Sequence, residues 1–93
     1  MDAILINKED ISGKVDFVEQ DVLLSKEARI MRQKKLEDAM RLGNGYKGKI
    51  TLVFATNEGD RAVETTVWAT TDSTVQLKGD VQIPIHSIRD VIV

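Results

Sequence analysis

Apolar residues recur at helical spacing in the segment 25–42, which is also rich in residues of high helix propensity. On a helical projection the apolar side chains gather within an arc of roughly 140°: Leu24, Ala28, Met31, Leu36, Ala39 and Leu42. Ser25 is a suitable N-cap, and Gly43 can take the left-handed conformation after the last turn. The pattern therefore predicts one amphipathic helix over about residues 25–42.

Two basic residues, Arg32 and Lys35, fall inside the apolar arc. One interpretation is that their aliphatic stems pack on the core while their charges reach water at its edge. The alternative is a basic helix surface for an anionic partner, and this surface would include Arg29 and Arg41. The pattern alone leaves both interpretations open.

From residue 50 onward the pattern becomes one of alternation, and 19 of these 44 residues are Val, Ile or Thr. The expected strands are 48–56, 62–70, 74–78, 81–85 and 88–93, joined by tight turns and a corner at 86–87. Strand 48–56 is apolar on both faces, so we expect the barrel interior and the helix to cover it. Pro84 should lie at a sheet edge or near a strand end.

Residues 1–24 form an N-terminal extension with a weaker pattern. The apolar run at 3–6 or the segment 14–18 could add a strand, or the helix could begin earlier, near Asp16. Residues 25–93 are expected to form a single domain. The fold class is thus α+β, mainly β, with one helix followed by a five-stranded antiparallel small barrel.

A helix, a Gly-rich joint at 43–45 and five strands that end in V-x-I-P-I-H-S-I-R-D-V make an arrangement similar to SH3-like and Sm-like barrels. The string Tyr46-Lys47-Gly48-Lys49, with residues 64–71, also resembles small uncharacterised bacterial proteins. The resemblance covers about residues 25–93. It implies a one-turn helix between the last two strands and a binding or assembly module rather than an enzyme.

Composition limits the chemistry that this chain can perform. A length of 93 residues fits one domain, and 42% apolar with 30% charged residues is typical of a soluble globular protein. With no cysteine there is no disulfide, thiolate metal site or thiol nucleophile. The first ten residues lack the pattern of a signal peptide, and no apolar run has the length of a membrane span. We therefore expect a cytoplasmic protein that does not bind a membrane.

The inventory of reactive groups argues against catalysis. The residue types of a Ser–His–Asp triad are present around His86, but the sequence contains no G-x-S-x-G nucleophile elbow. We expect His86 to be a strand-end residue with one ring nitrogen bonded to the backbone. The glycines at 43–48 leave a helix, whereas a phosphate-binding loop enters one. The sequence predicts no enzyme, no catalytic or metal site, no cofactor and no small-molecule substrate.

Charge is strongly segregated, although the net charge is only −2. Residues 25–49 hold eight basic and three acidic side chains, whereas residues 1–24 hold two and six, and residues 50–93 hold three and six. The candidate binding surface combines the basic middle with the single tryptophan: Arg29, Arg32, Lys35, Arg41, Tyr46, Lys47, Lys49 and Trp68. Trp68 lies opposite the apolar face of its strand. It could pack beneath the helix or the N-terminal segment, or serve as an exposed aromatic platform.

These features support two hypotheses of function. The first is a protein-interaction or homo-oligomerising module in which oppositely charged zones pair between subunits. The alternative is an accessory RNA- or DNA-binding domain that uses the basic helix and the Tyr46–Lys49 joint.

Overall fold

The computed structural model describes residues 3–46 and 48–93, with Tyr46 described by its backbone alone. Across these residues the chain forms one α-helix and seven strands, so the fold is α+β and mainly β, as predicted. The elements are β1 (Ile4–Leu5), a 3-10 turn (Lys8–Asp10), α1 (Lys26–Tyr46), β2 (Ile50–Thr56), β3 (Gly59–Thr65), β4 (Val67–Thr70), β5 (Thr74–Leu77), β6 (Val81–Pro84), a 3-10 turn (Ile85–Ser87) and β7 (Ile88–Ile92). The predicted count of five strands is wrong, because the expected strand 62–70 is two strands and β1 adds another.

The strands form two sheets, with the orders β1-β3-β2-β7 and β4-β5-β6. Neighbours are antiparallel except for β1, which runs parallel to β3. The chain passes from one sheet to the other at Thr66, whose carbonyl oxygen accepts a hydrogen bond of 3.0 Å from the Lys78 N–H. Alternation of apolar residues continues through this point, so the sequence pattern conceals the break. Pro84 ends β6, an edge strand, as expected for a residue without an N–H.

Strand β2 is buried on both faces, but the helix is not the main cover of its outer face. Helix α1 packs chiefly on β4 and β7. Leu52 and Phe54 face the main core, and Val53 and Ala55 lie on the opposite face. Asp60 of β3 and Arg89 of β7 form an ion pair of 2.9 Å, and both strands flank β2. This ion pair therefore spans β2 from one neighbouring strand to the other.

Helix α1 begins as predicted and ends later than predicted. The Ala28 N–H donates to Ser25 Oγ at 3.1 Å, which confirms Ser25 as the cap. Gly43 does not end the helix in a left-handed conformation, because α1 continues through it to Tyr46. A Cβ atom at Gly43 would collide with the carbonyl oxygen of Val67. The absence of a side chain at Gly43 therefore allows the helix backbone to approach β4. This glycine serves the packing of the helix on the sheet and does not form a turn.

Only the second half of the predicted apolar arc reaches the core. Leu36 and Ala39 are fully buried, whereas Leu24 is 89% and Met31 is 53% exposed. The two exposed residues are corrections to the predicted core-facing stripe. They leave an apolar strip at the N-terminal end of the helix in contact with solvent.

The N-terminal residues are attached to both the sheet and the helix. Ile11 is 1% exposed and belongs to the main core, and the Phe17 ring lies 5.8 Å from the Phe54 ring. The segment adds a strand at Ile4–Leu5, one of the options considered, and the helix does not begin near Asp16. None of the helices in residues 3–46 and 48–93 is long and apolar enough to cross a bilayer.

Candidate functional site

Arg32 is a buried structural residue and not part of an exposed basic surface. Its side chain is 6% exposed, and its two terminal nitrogens lie 2.9 and 2.7 Å from the carboxylate oxygens of Asp21. It also donates to the Ile88 carbonyl oxygen at 3.1 Å. Neither interpretation of the apolar arc describes this arrangement, because the guanidinium reaches a carboxylate supplied by the N-terminal segment.

The same contact perturbs the carboxyl group of Asp21. The Arg32 guanidinium, aided by the Leu23 N–H, holds the pKa of Asp21 below its ordinary value. Burial of the carboxyl group acts in the opposite direction and is the weaker influence. Asp21 is therefore ionised in the folded protein at neutral pH and fastens the N-terminal segment to α1.

The other predicted cations of α1 are also engaged within the chain. Arg29 Nε donates to the Leu23 carbonyl oxygen at 2.7 Å and lies 3.5 Å from Asp21 Oδ2. Lys35 Nζ lies 3.0 Å from Asp90 Oδ1. Arg41 lies 2.6 Å from Asp38 in an exposed pair. An anionic partner would have to compete with internal carboxylates along this helix.

Two predicted residues, Lys49 and Trp68, do share one concave surface. It is a groove of about 770 Å³ that we call the Trp68 groove. Residues 5–9, 43, 44, 49, 64–66, 68 and 78 line it. Lys8 and Lys78 were missed by the sequence analysis, because no motif connects positions 70 residues apart. The Tyr46 side chain and Lys47, also predicted, lie outside the described part of the structure.

The geometry of the Trp68 groove resolves the position of the tryptophan. Trp68 is 43% exposed and borders the N-terminal segment, so it is neither fully packed nor a free platform. Leu5, which also lines the groove, is 67% exposed. Lys8 extends towards the β5–β6 turn, where its Nζ lies 3.7 Å from the position that a Cβ would occupy at Gly79. The groove thus combines two partly exposed apolar side chains with three lysines.

A second hollow lies beside His86, whose ring and neighbouring serine are both bonded to the backbone. His86 Nε2 donates to the Val18 carbonyl oxygen at 2.6 Å, which confirms the expected bond to the backbone. Ser87 is fully buried, and its hydroxyl donates to the Pro84 carbonyl oxygen at 2.8 Å. Among the described residues, no group of three His, Cys, Asp or Glu side chains could hold a metal ion. The Val22 N–H also donates to the His86 carbonyl oxygen at 3.0 Å, so His86 holds residues 18–22 against the turn before β7.

A third, smaller hollow of about 180 Å³ lies between the first half of α1 and β7. Its apolar walls come from Leu23, Ala28, Met31 and Val91. Lys35, Arg32, Arg89 and Asp90 complete the lining, and all four are engaged in the ion pairs or hydrogen bonds described above. We call this surface the helix hollow.

Comparison with family models, with curated proteins and with solved structures found no match to this chain.

Proposed function

We propose that this chain is a non-enzymatic binding module built on a partly open, SH3-like or Sm-like small barrel. Two short sheets and one helix support the proposal, as does the 3-10 turn Ile85–Ser87 between the last two strands. The proposed role is protein interaction or homo-oligomeric assembly, in the cytoplasm. The absence of cysteine is compatible with that reducing compartment.

One observation carries the role: around the helix hollow and the start of α1, exposed apolar side chains lie beside cations that are already paired with carboxylates. Met31 lines the helix hollow and is half exposed, and Leu24 at the start of the helix is almost fully exposed. The neighbouring cations Arg32 and Lys35 are already paired with carboxylates. On such a surface, burial of the apolar area by a partner contributes more binding free energy than attraction of a phosphate group would.

The assembly version can be tested by sedimentation velocity over a range of protein and salt concentrations. We expect concentration-dependent association that Met31→Glu abolishes, because a carboxylate would have to be buried in the interface. Ile30→Glu is the matched control, since Ile30 is 59% exposed on the same helix but does not line the helix hollow. A monomer at every concentration and salt would reject assembly, and equal effects of both variants would reject this surface.

Nucleic-acid binding is the second candidate, supported by the placement of Lys49 and Trp68 in one groove with two further lysines. It predicts affinity for mixed oligonucleotides that falls steeply with salt. Absence of binding at about 50 mM salt would reject it, since nonspecific phosphate contacts are strong there. Lys49→Ala is the informative variant, whereas Arg32→Ala would disturb a buried ion pair.

A further inference from the structure

Among the described residues, the main-chain edge of strand β3 is open at one residue, Glu64, which lines the Trp68 groove. Strand β1 pairs with β3 only at Arg61 and Ala62, and the last bond runs from the Ile6 N–H to the Ala62 carbonyl oxygen, at 2.8 Å. Successive residues of a strand direct their N–H and C=O groups to opposite sides. The backbone of Glu64 therefore points to the same side as that of Ala62, away from β2. Among the described residues, no backbone partner on that side reaches Glu64.

The side chains around this edge offer apolar contact to a bound chain. Glu64, Trp68 and Leu5 all line the groove. Trp68 and Leu5 are 43% and 67% exposed, so two large apolar side chains of one groove are in contact with solvent. A chain added at Glu64 would cover part of both. Main-chain bonds and alternate side-chain contacts are the two components of recognition by strand addition.

The charges of the groove favour an acidic ligand. Lys8, Lys49 and Lys78 line it, and none of them is ion-paired with a carboxylate among the described residues. Glu9 and Glu64 reduce this excess without reversing it. Because Glu64 lines the groove and carries the open edge, a ligand of closely spaced phosphates that binds there would lie near a carboxylate. A peptide can place an uncharged residue beside Glu64 and its carboxylates beside the lysines.

We infer that the Trp68 groove binds a short, extended, acidic segment of a partner protein, which pairs with the backbone of Glu64 and covers Trp68 and Leu5. The inference rests on the proposed protein-interaction function and names a surface distinct from the helix hollow. A volume of about 770 Å³ lies within the range of about 300–1,000 Å³ typical of ligand pockets.

The test uses the full chain and capped six-residue peptides carrying a fluorescent label. The acidic probe alternates Asp with Leu and Val. Its controls replace Asp by Lys, or replace the central Leu by Pro, which removes a backbone N–H. Anisotropy measures binding, and the intrinsic fluorescence of Trp68, the single tryptophan, reports whether an unlabelled probe occupies the groove. Oligo-dT is the nucleic-acid probe.

We expect the acidic probe to bind below about 1 mM and to shift Trp68 emission, with affinity that decreases as salt increases. Lys49→Glu and Lys78→Glu should each weaken binding about fivefold, which is the effect of an exposed charge pair. Lys34→Glu is the matched control, because Lys34 is exposed on α1 and does not line the groove. The proline probe should bind at least fivefold more weakly than the acidic probe.

Several results would overturn the inference. Equal binding of the acidic and basic probes, or equal loss in the Lys49 and Lys34 variants, would show that the groove does not select the peptide. Binding of oligo-dT without binding of the acidic probe would assign the groove to nucleic acid. A shift of Trp68 emission with protein concentration alone would assign it to a second copy. If the probes fail while Met31-dependent association persists, the inference fails and the proposed function stands.

Discussion

The substitution Asp21→Asn tests whether the ion pair between the N-terminal segment and α1 holds the fold together. An asparagine oxygen can still accept the hydrogen bond from the Leu23 N–H, which is 2.8 Å from Asp21 Oδ1. The change therefore removes the negative charge and keeps the local turn. Arg32, which is 6% exposed, then remains inside the protein without its counter-charge.

The expected loss is about 3 kcal/mol in the free energy of unfolding. Removing one partner of a buried ion pair costs about 3–5 kcal/mol. We take the lower end because Asp21 is 19% exposed and Arg32 keeps its bond to the Ile88 carbonyl oxygen. A domain of this length is stable by about 5–14 kcal/mol, so the loss is a large share of the total.

Urea unfolding followed by circular dichroism measures this loss. With a slope near 1.5 kcal/mol per M, the midpoint should decrease by about 2 M. Asp38→Asn is the matched control: the Arg41–Asp38 distance is 2.6 Å, but both side chains are more than half exposed. Removing that pair should cost less than about 1 kcal/mol.

The double variant Asp21→Asn/Arg32→Met separates the cost of leaving the Arg32 charge unpaired from the stabilisation that the ion pair itself provides. It should be more stable than Asp21→Asn alone, because Arg32 Nε is buried with no partner among the described residues and its removal relieves a cost. Equal losses of unfolding free energy in Asp21→Asn and Asp38→Asn would refute the reasoning, because we attribute the larger loss at Asp21 to burial of the ion pair and not to the distance between its atoms. A double variant less stable than Asp21→Asn would also refute it.

Three further predictions concern acid stability, helix packing and capping. The pKa of Asp21 lies below its ordinary value of 3.8, so the ionised carboxylate stabilises the fold above that pH, and this stabilisation is lost as the pH falls through the folded-state pKa. The difference in urea midpoint between the wild-type chain and Asp21→Asn should therefore shrink below about pH 4. Gly43→Ala should destabilise the fold by about 1–3 kcal/mol, whereas Gly45→Ala, whose Cβ would meet no atom within 4 Å, should stabilise it by up to about 1 kcal/mol. Equal effects of the two in thermal unfolding would disprove a close approach to Val67. Ser25→Ala should cost about 1 kcal/mol, and Ser25→Gly only a few tenths, in the same assay.

The local elements of this protein follow from short-range chemistry and could be predicted from the sequence. Ser25 begins the helix because its hydroxyl satisfies a first-turn N–H group, whatever the rest of the chain does. Pro84 lies at the end of an edge strand because it lacks an N–H. His86 bonds to the backbone, as expected of a histidine beside a strand end.

The candidate site was less predictable, because it depends on residues that are distant in the sequence. Residue type identifies Lys49 and Trp68. Lys8 joins them because the N-terminal segment lies along β3, and Lys78 joins them because its N–H bonds to the Thr66 carbonyl oxygen. The pattern leaves two interpretations of Arg32 open, packing at the core edge or a basic surface, because its partner, Asp21, lies 11 positions away in a segment with no clear pattern. Periodicity shows which residues share one face of a helix or strand, but it does not show which distant segment packs against that face.

The sequence by itself determined where the helix begins, which residues alternate along the strands, and which reactive groups the chain lacks, because these depend on side-chain type and near neighbours. The tertiary structure alone decided that the chain changes sheets at Thr66, that the helix passes through Gly43, and that Arg32 is buried. Each of these depends on a contact with a distant segment: the Lys78 N–H, the β4 backbone and the Asp21 carboxylate. Such contacts form only when the whole chain has folded, so no local pattern records them.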